Sequence, residues 1–430
     1  MAFRLLLSAH STTPLLVPPA FWLSDDPATS HRIALAVNAV ISSALLILAY
    51  AALRRLGLSN GPAHLAGHLI ALLPLIVYYS GFALTDAVLP VVVLAWLFAI
   101  HESLSRKNSR AYETASSGIA VIAFSMDSRG YLIALVQAAF LCVLAVRRSR
   151  VPIFAGGTLL AGVFAAWTTN GLPAARRDTL PLGDQLLTRL TTLDGLAWTF
   201  GLSAGKLWYL SVATWGLGGV GLIVLAALAF RRGGAEPLRT LAVIVLVTVA
   251  GIALATSAAA PDDGTVAGFA YGRPLACMAA PLMIAALVFA VRARPDPQLR
   301  TVLGAVLLTC LAAAGTQLYA GERLWTASYT PFDFPEIGFL VADRSNLRLW
   351  SATYAALLLL ALAALLVRLG GKLRVIAAAG LMTVEAAASL TAATQIVPPV
   401  VETTEGSPAV SGKALIEDRV RRQGLEPRTR

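Results

Sequence analysis

Six short, strongly basic connections each follow a long apolar run, and they alternate along the chain with connections that carry few cations. The clusters are Arg54-Arg55; Arg106, Lys107 and Arg110; Arg147, Arg148 and Arg150; Arg231, Arg232 and Arg239; Arg292, Arg294 and Arg300; and Arg368, Lys372 and Arg374. Moving such loops across a membrane against its potential, and away from an anionic leaflet, is unfavourable, so they stay cytoplasmic. The pattern predicts an all-α chain that crosses a bilayer many times, and it sets the orientation.

The apolar runs are about 17 to 22 residues long, enough to cross a ~30 Å hydrocarbon core as helices. Backbone polar groups in lipid must be satisfied within each segment, so a polytopic helical bundle is the architecture expected. Composition agrees: 57% of the 430 residues are hydrophobic and only 13% charged, with a mean hydropathy of +0.73. That leaves too little polar surface for a water-soluble globule of this size. The net charge of +11 does not imply nucleic acid, because half of the 34 Lys and Arg lie in the six loops, where topology accounts for them. Cys142, Cys277 and Cys310 fall in apolar runs without metal or redox spacing. Met1–Ser8 is too short for the apolar core of a cleavable signal peptide.

Hydrophobic patterning places about twelve transmembrane helices near 33–53, 63–80, 83–101, 115–126, 131–146, 151–169, 207–230, 239–258, 274–291, 301–320, 350–368 and 374–396. The fourth is short for a span, and a turn at Asp127-Ser128-Arg129-Gly130 separates it from the fifth. Residues 1–32 form an extracytoplasmic N-terminal segment, 33–396 the membrane domain, and 397–430 a polar, disordered tail. The two longest connections, Asn170–Lys206 and Gly321–Leu349, fall outside as loops. Single cysteines placed at 185 and 330, with the three native ones removed, should therefore react with an impermeant reagent in intact cells. Modification only after lysis would overturn the orientation.

Few residues carry chemistry. Tyr78-Tyr79-Ser80-Gly81 makes an outer turn that leads to Asp86 in the first turn of the next helix. A carboxylate there can cap a helix N-terminus, or serve a phosphate-bearing lipid substrate or its acceptor beside Tyr79. Arg129 and Arg273 lie at outer helix mouths, where a guanidinium either snorkels or neutralises a phosphate. Lys206 has the same two readings beside Trp208-Tyr209, which reads as an aromatic belt. Glu385, inside the last apolar run, is a functional candidate by default, or an acid near enough to a helix end to reach water. His64 and His68 share a helix face but have no third ligand, so no metal site is read. No Walker sequence, dinucleotide fingerprint or Asp-x-Asp nucleotide-sugar site is present, and no cofactor is called for.

The outer turn ending in Asp86, the second turn with Asp127, Arg129 and Gly130, the segment Gly205-Lys206-Leu207-Trp208-Tyr209-Leu210, and Tyr271-Gly272-Arg273 before a helix together resemble the membrane-embedded GT-C glycosyltransferases. These include the protein O-mannosyltransferases and the lipid A aminoarabinose transferases. The likeness runs over most of residues 10–370 and is carried by short motifs. Pro274 stands where the Tyr-Gly-Arg-Tyr stretch of the family has its last Tyr. The resemblance implies transfer of a sugar from a polyprenyl-phosphate donor to an acceptor at the outer face of the inner (plasma) membrane. Asp86 would be the catalytic carboxylate, with Arg129, Arg273, Tyr79 and Lys206 as substrate contacts. The family relies on an acid in its first outer loop. Residues Pro18–Arg32 look like the stretch after that loop, and Asp25-Asp26 are the acids at hand. The resemblance thus also implies a truncated or inactive relative. A secondary transporter or lipid flippase, or a non-catalytic membrane scaffold, are the alternatives.

Overall fold

The computed structural model describes residues 27–80, 85–106, 109–148, 151–231, 236–262, 264–327, 329, 333–341, 346–370 and 373–395. Residues 1–26, with Asp25 and Asp26, and the tail from 396 lie outside that set. In chain order the helices are α1 Pro27–Arg55, α2 Asn60–Ala71, α3 Pro74–Ser80, α4 Leu89–Ser105, α5 Arg110–Met126, α6 Arg129–Arg148, α7 Ile153–Thr191, α8 Leu193–Ala213, α9 Leu217–Phe230, α10 Glu236–Ala258, α11 Val266–Ala270, α12 Ala279–Arg292, α13 Pro295–Ala320, α14 Arg323–Thr326, α15 Pro335–Val341, α16 Leu349–Leu369 and α17 Leu373–Gln395. Two 3-10 turns, Thr85–Ala87 and Arg273–Met278, precede α4 and α12.

The chain is an all-α, multi-pass membrane bundle, as its patterning requires. Among the described residues seven helices are long and apolar enough to span a bilayer, or eight if the bent pair α8–α9 makes one span. Among the described residues each of the twelve expected segments falls mainly on helix, but several are pieces rather than full crossings. The segment near 63–80 divides into α2 and α3, because Pro74 cannot donate the hydrogen bond that would continue the first helix. The fourth segment is longer than expected and starts at Arg110.

The largest departure concerns Asn170–Lys206. It is not a loop: α7 continues to Thr191, and α8 begins two residues later, with the Thr192 hydroxyl accepting from the Gly195 amide at 3.1 Å. Pro173 and Pro181 lie within this stretch, and neither stops the helix. Gly321–Leu349 likewise holds α14 and α15.

A second correction concerns the helix expected over 207–230. The chain turns by 112° between α8 and α9. At the break Trp215 has φ +54° and Gly216 φ +82°. A left-handed tryptophan is an outlier held by its surroundings, here a site fully enclosed by neighbours. With α8 turned into the protein, Trp208 and Tyr209 are buried rather than forming an interfacial belt. Trp208 Nε1 donates to Thr353 Oγ1 at 2.8 Å, which meets the need of a buried indole.

Candidate functional site

Four charged side chains meet where α4, α6 and α12 begin. Asp86 sits in the 3-10 turn ahead of α4, Asp127 and Arg129 in the turn that starts α6, and Arg273 in the 3-10 turn ahead of α12. Asp127 Oδ1 accepts from the backbone amide of Arg129 at 2.9 Å and so caps α6. The same carboxylate holds the guanidinium: Arg129 Nε donates to Oδ1 at 2.6 Å and Nη2 to Oδ2 at 2.8 Å. Thr85 Oγ1 adds a bond to Oδ2 at 3.2 Å. Burial would raise the acid's pKa, but the hydrogen bonds and charge of Arg129 outweigh it and hold Asp127 down at about 2.

Asp86 lies between the two arginines. Arg129 Nη2 donates to its Oδ1 at 2.7 Å, and Arg273 donates to its Oδ2 through Nε at 2.5 Å and also through Nη2. The side chain is only 2% exposed, so this is an ion-paired core rather than the solvated helix cap that the sequence allowed. Both oxygens already accept from guanidinium groups, and a carboxylate so engaged is poorly placed to take a proton from an incoming hydroxyl. The geometry gives Asp86 the task of fixing two cations.

The arginines differ in what they can do. Arg129 also donates from Nη1 to the carbonyl oxygens of Arg273 and Pro274, at 3.2 and 3.5 Å, so its fork is spent on protein acceptors and it is 7% exposed. It cross-links the turns before α6 and α12. Arg273 is the most exposed of the four, at 26%, and its Nη1 donates to the Tyr271 hydroxyl at 3.2 Å. Asp86, Arg129 and Arg273, chosen separately from sequence, therefore form one cluster.

Lys206 does not join it. Its ammonium is buried and donates to Ser257 Oγ at 2.8 Å, on α10. Two of the sequence motifs nevertheless meet here. A Cβ at Gly205 would lie 1.9 Å from the Phe269 carbonyl oxygen, and one at Gly272 would lie 2.0 Å from the Tyr209 ring. Each glycine is the room that lets the chain segments around 205–209 and 269–273 lie against each other. The Tyr79 side chain lies outside the described residues. Its neighbour Tyr78 is buried and feels the charges of Glu336 and Asp333.

Glu336, at the start of α15, is the residue the sequence did not reveal. Tyr209 donates its hydroxyl to Oε2, whereas Oε1 is buried without a hydrogen-bond partner among the described residues. Burial pushes the Glu336 carboxyl up to about 7, with the Tyr209 bond opposing that rise. The ring of Phe334, two residues earlier, lies 5.8 Å from that of Tyr209 and 6.5 Å from that of Tyr271, the partner of Arg273. An aromatic wall thus connects Glu336 with the arginine cluster. No local signal marks an acid after a Pro-Phe-Asp-Phe-Pro stretch as buried, and only the packing of α15 against α3, α8, α16 and α17 makes it so. Glu385, read as able to reach water, is fully buried in α17. The Trp215 indole lies beside its carboxylate without making a hydrogen bond that satisfies either group.

No protein-family model matches this chain, and no curated protein is similar to it. Among solved structures it is similar to ArnT from Cupriavidus metallidurans bound to undecaprenyl phosphate, with 15% identity over 89% of this chain and 67% of that one, at a TM-score of 0.49. The same protein in the apo state is similar at 16% identity over 89% of this chain and 66% of that one, again at 0.49. The chain spans about two thirds of the length of each. At this distance the likeness carries no conclusion about activity, and the chemistry of the site rests on the chain's own residues.

Proposed function

We propose that this protein transfers a sugar from a polyprenyl-phosphate donor to an acceptor at the extracytoplasmic membrane face, with the Asp86–Arg129–Arg273 cluster handling the phosphate. The observation that carries this reading is a planar guanidinium, Arg273, held along one edge by a buried carboxylate at a helix mouth and still 26% exposed. Such a group suits a phosphate that leaves as the glycosyl bond breaks, because it neutralises charge where charge develops. A lipid-borne donor also accounts for an enzyme made of membrane helices.

In the reaction the acceptor oxygen bonds to the anomeric carbon, and the bond from that carbon to the phosphate oxygen breaks. The leaving phosphate takes the electron pair and is stabilised by Arg273. Asp86, with Arg129 behind it, keeps Arg273 in position. The acceptor proton passes to Glu336, whose raised pKa and unpartnered oxygen suit a general base near neutrality better than Asp86 does.

A second reading, a secondary transporter or flippase, gains one feature from the broken helix pair α8–α9. Transporters of that kind pair broken helices in corresponding halves. Among the described residues a single bent pair is found, which favours transfer.

The test is a titration of undecaprenyl phosphate into the detergent-solubilised protein and two variants. Arg273→Lys keeps the charge and loses the fork, whereas Arg273→Ala loses both. Affinity should rank wild type above Lys above Ala, with Ala weaker by about 1.5–3 kcal/mol for a lost charge-assisted bond. Three superimposable curves would remove Arg273 from phosphate binding.

A further inference from the structure

At the far end of the bundle from Asp86, a groove of about 930 Å³ opens between α1, α4, α9, α10, α12 and α13. The two ends are fixed by shared helices. Helix α4 starts just after the Asp86 turn and carries His101 of the groove wall near its other end, while α12 starts after the Arg273 turn and ends at Arg292, also in the wall. At 1.5 Å per residue, the groove wall on α4 runs from Leu94, about 8 Å along the helix from its start, to Ser105, about 24 Å along it, and none of the four charged residues of the candidate site lines it. The groove is therefore no part of that site.

Its interior is apolar, formed by side chains such as Leu97, Leu228, Val245 and Val288, and four arginines stand in its lining: Arg55, Arg231, Arg292 and Arg294. No acid lines it. Glu236 and Asp296 directly precede Pro237 and Pro297 of the wall, and Glu102 is faced by Arg55 at 3.4 Å and bound by Arg106 at 2.7 Å. Arg292 donates to the Gly57 carbonyl oxygen at 3.1 Å. Arg231 and Arg294 are exposed and have no hydrogen-bond or ion-pair partner among the described residues. Topology explains why cations lie on this side of a membrane, but not why four of them, from three separate connections, converge on one apolar groove.

We propose that this groove binds one anionic diacyl phospholipid, its acyl chains lying along the apolar wall and its phosphate between Arg231 and Arg294. The charge is complementary: guanidinium groups recognise phosphate through paired N–H donors, and a neighbouring apolar wall is what a headgroup brings with it. A zwitterionic lipid carries its own ammonium into the same cation ring and is disfavoured. Inorganic phosphate has the charge but nothing for the groove.

Native mass spectrometry of the full-length protein, released from detergent with added phosphatidylglycerol or phosphatidylcholine, tests this. Wild type should retain a single phosphatidylglycerol at least tenfold more tightly than phosphatidylcholine, and its melting temperature should rise with the former alone. The double variant Arg231→Gln/Arg294→Gln should lose most of that preference, while Arg231→Lys/Arg294→Lys keeps part of it. Both side chains are exposed, so folding should survive; the single variant Arg294→Gln, expected to lose part of the preference, covers the case in which it does not. Equal retention of the two lipids by wild type would overturn the proposal. So would an unchanged preference in the Gln variants, or the same melting shift with inorganic phosphate. None of these outcomes bears on undecaprenyl phosphate binding at Arg273.

Discussion

Asp86→Asn should abolish transfer and should also cost the protein a substantial part of its stability. A helix-capping carboxylate would be worth only about 0.3–1 kcal/mol. Here the carboxylate stands between Arg129 and Arg273 with 2% of its side chain exposed. Removing one partner of a buried ion pair leaves the remaining charge uncompensated, which costs about 3–5 kcal/mol. Asn keeps an acceptor of the same shape and discards the charge, so the loss falls on electrostatics rather than on packing. Chemical denaturation in detergent, run beside a transfer assay, separates two possibilities. A variant that is destabilised and inactive fits a carboxylate that fixes two cations. A variant with wild-type stability and no transfer would return Asp86 to the role of acceptor base. Full transfer would remove it from the site.

Glu336→Gln should lower transfer by about 10²–10⁴-fold, the range for loss of a general base, without changing the affinity for undecaprenyl phosphate. In wild type the rate should climb about tenfold per pH unit up to about 7 and then level, because the base must be ionised. The Gln variant should lack that limb. Stability should move the other way. The folded carboxyl has a pKa of about 7 against its usual 4.5, so the folded state holds the proton more tightly. Its contribution is complete below about 4.5 and is lost as pH rises through 7, by on the order of 3 kcal/mol. Gln cannot ionise, so at pH 8 the variant should be more stable than wild type while being slower. Asp127 has the opposite sign: its pKa of about 2 lies below the usual 3.8, so its contribution is complete above about 4 and is lost as pH falls toward 2. A pH-rate profile with no limb near 7 in wild type would exclude Glu336 as the base, whatever its effect on stability.

The two effects of Glu336 come from one cause, a carboxylate placed where water cannot solvate it. Enclosure of that kind depends on how α15 packs among α3, α8, α16 and α17, and nothing in the chain next to Glu336 reports it. Asp86, Arg129 and Arg273 were legible for a different reason. Charged residues beside long apolar runs are rare and costly, so each stands out against a background in which only 13% of residues are charged. What the sequence left open was whether each acted alone, as a cap or a snorkelling cation, or with the others. Residues 86 and 273 are 187 positions apart, and no local rule spans that separation.

Class and helical content were likewise written in the chain, since an apolar run of membrane length has only one way to satisfy its backbone. The bend at Trp215 was not, because a tryptophan carries no signal for a left-handed backbone; its enclosure by other helices imposes it. The helical passage through Pro173 and Pro181 was missed for the converse reason. Proline disfavours a helix locally, but the surrounding structure can hold one in place despite that cost. The sequence by itself determined a multi-pass helical protein and the identity of the arginine-cluster residues. Only the tertiary structure decided that those residues share one carboxylate, that Lys206 stands apart, and that Glu336 is buried against Tyr209, because each of these depends on segments distant along the chain coming together.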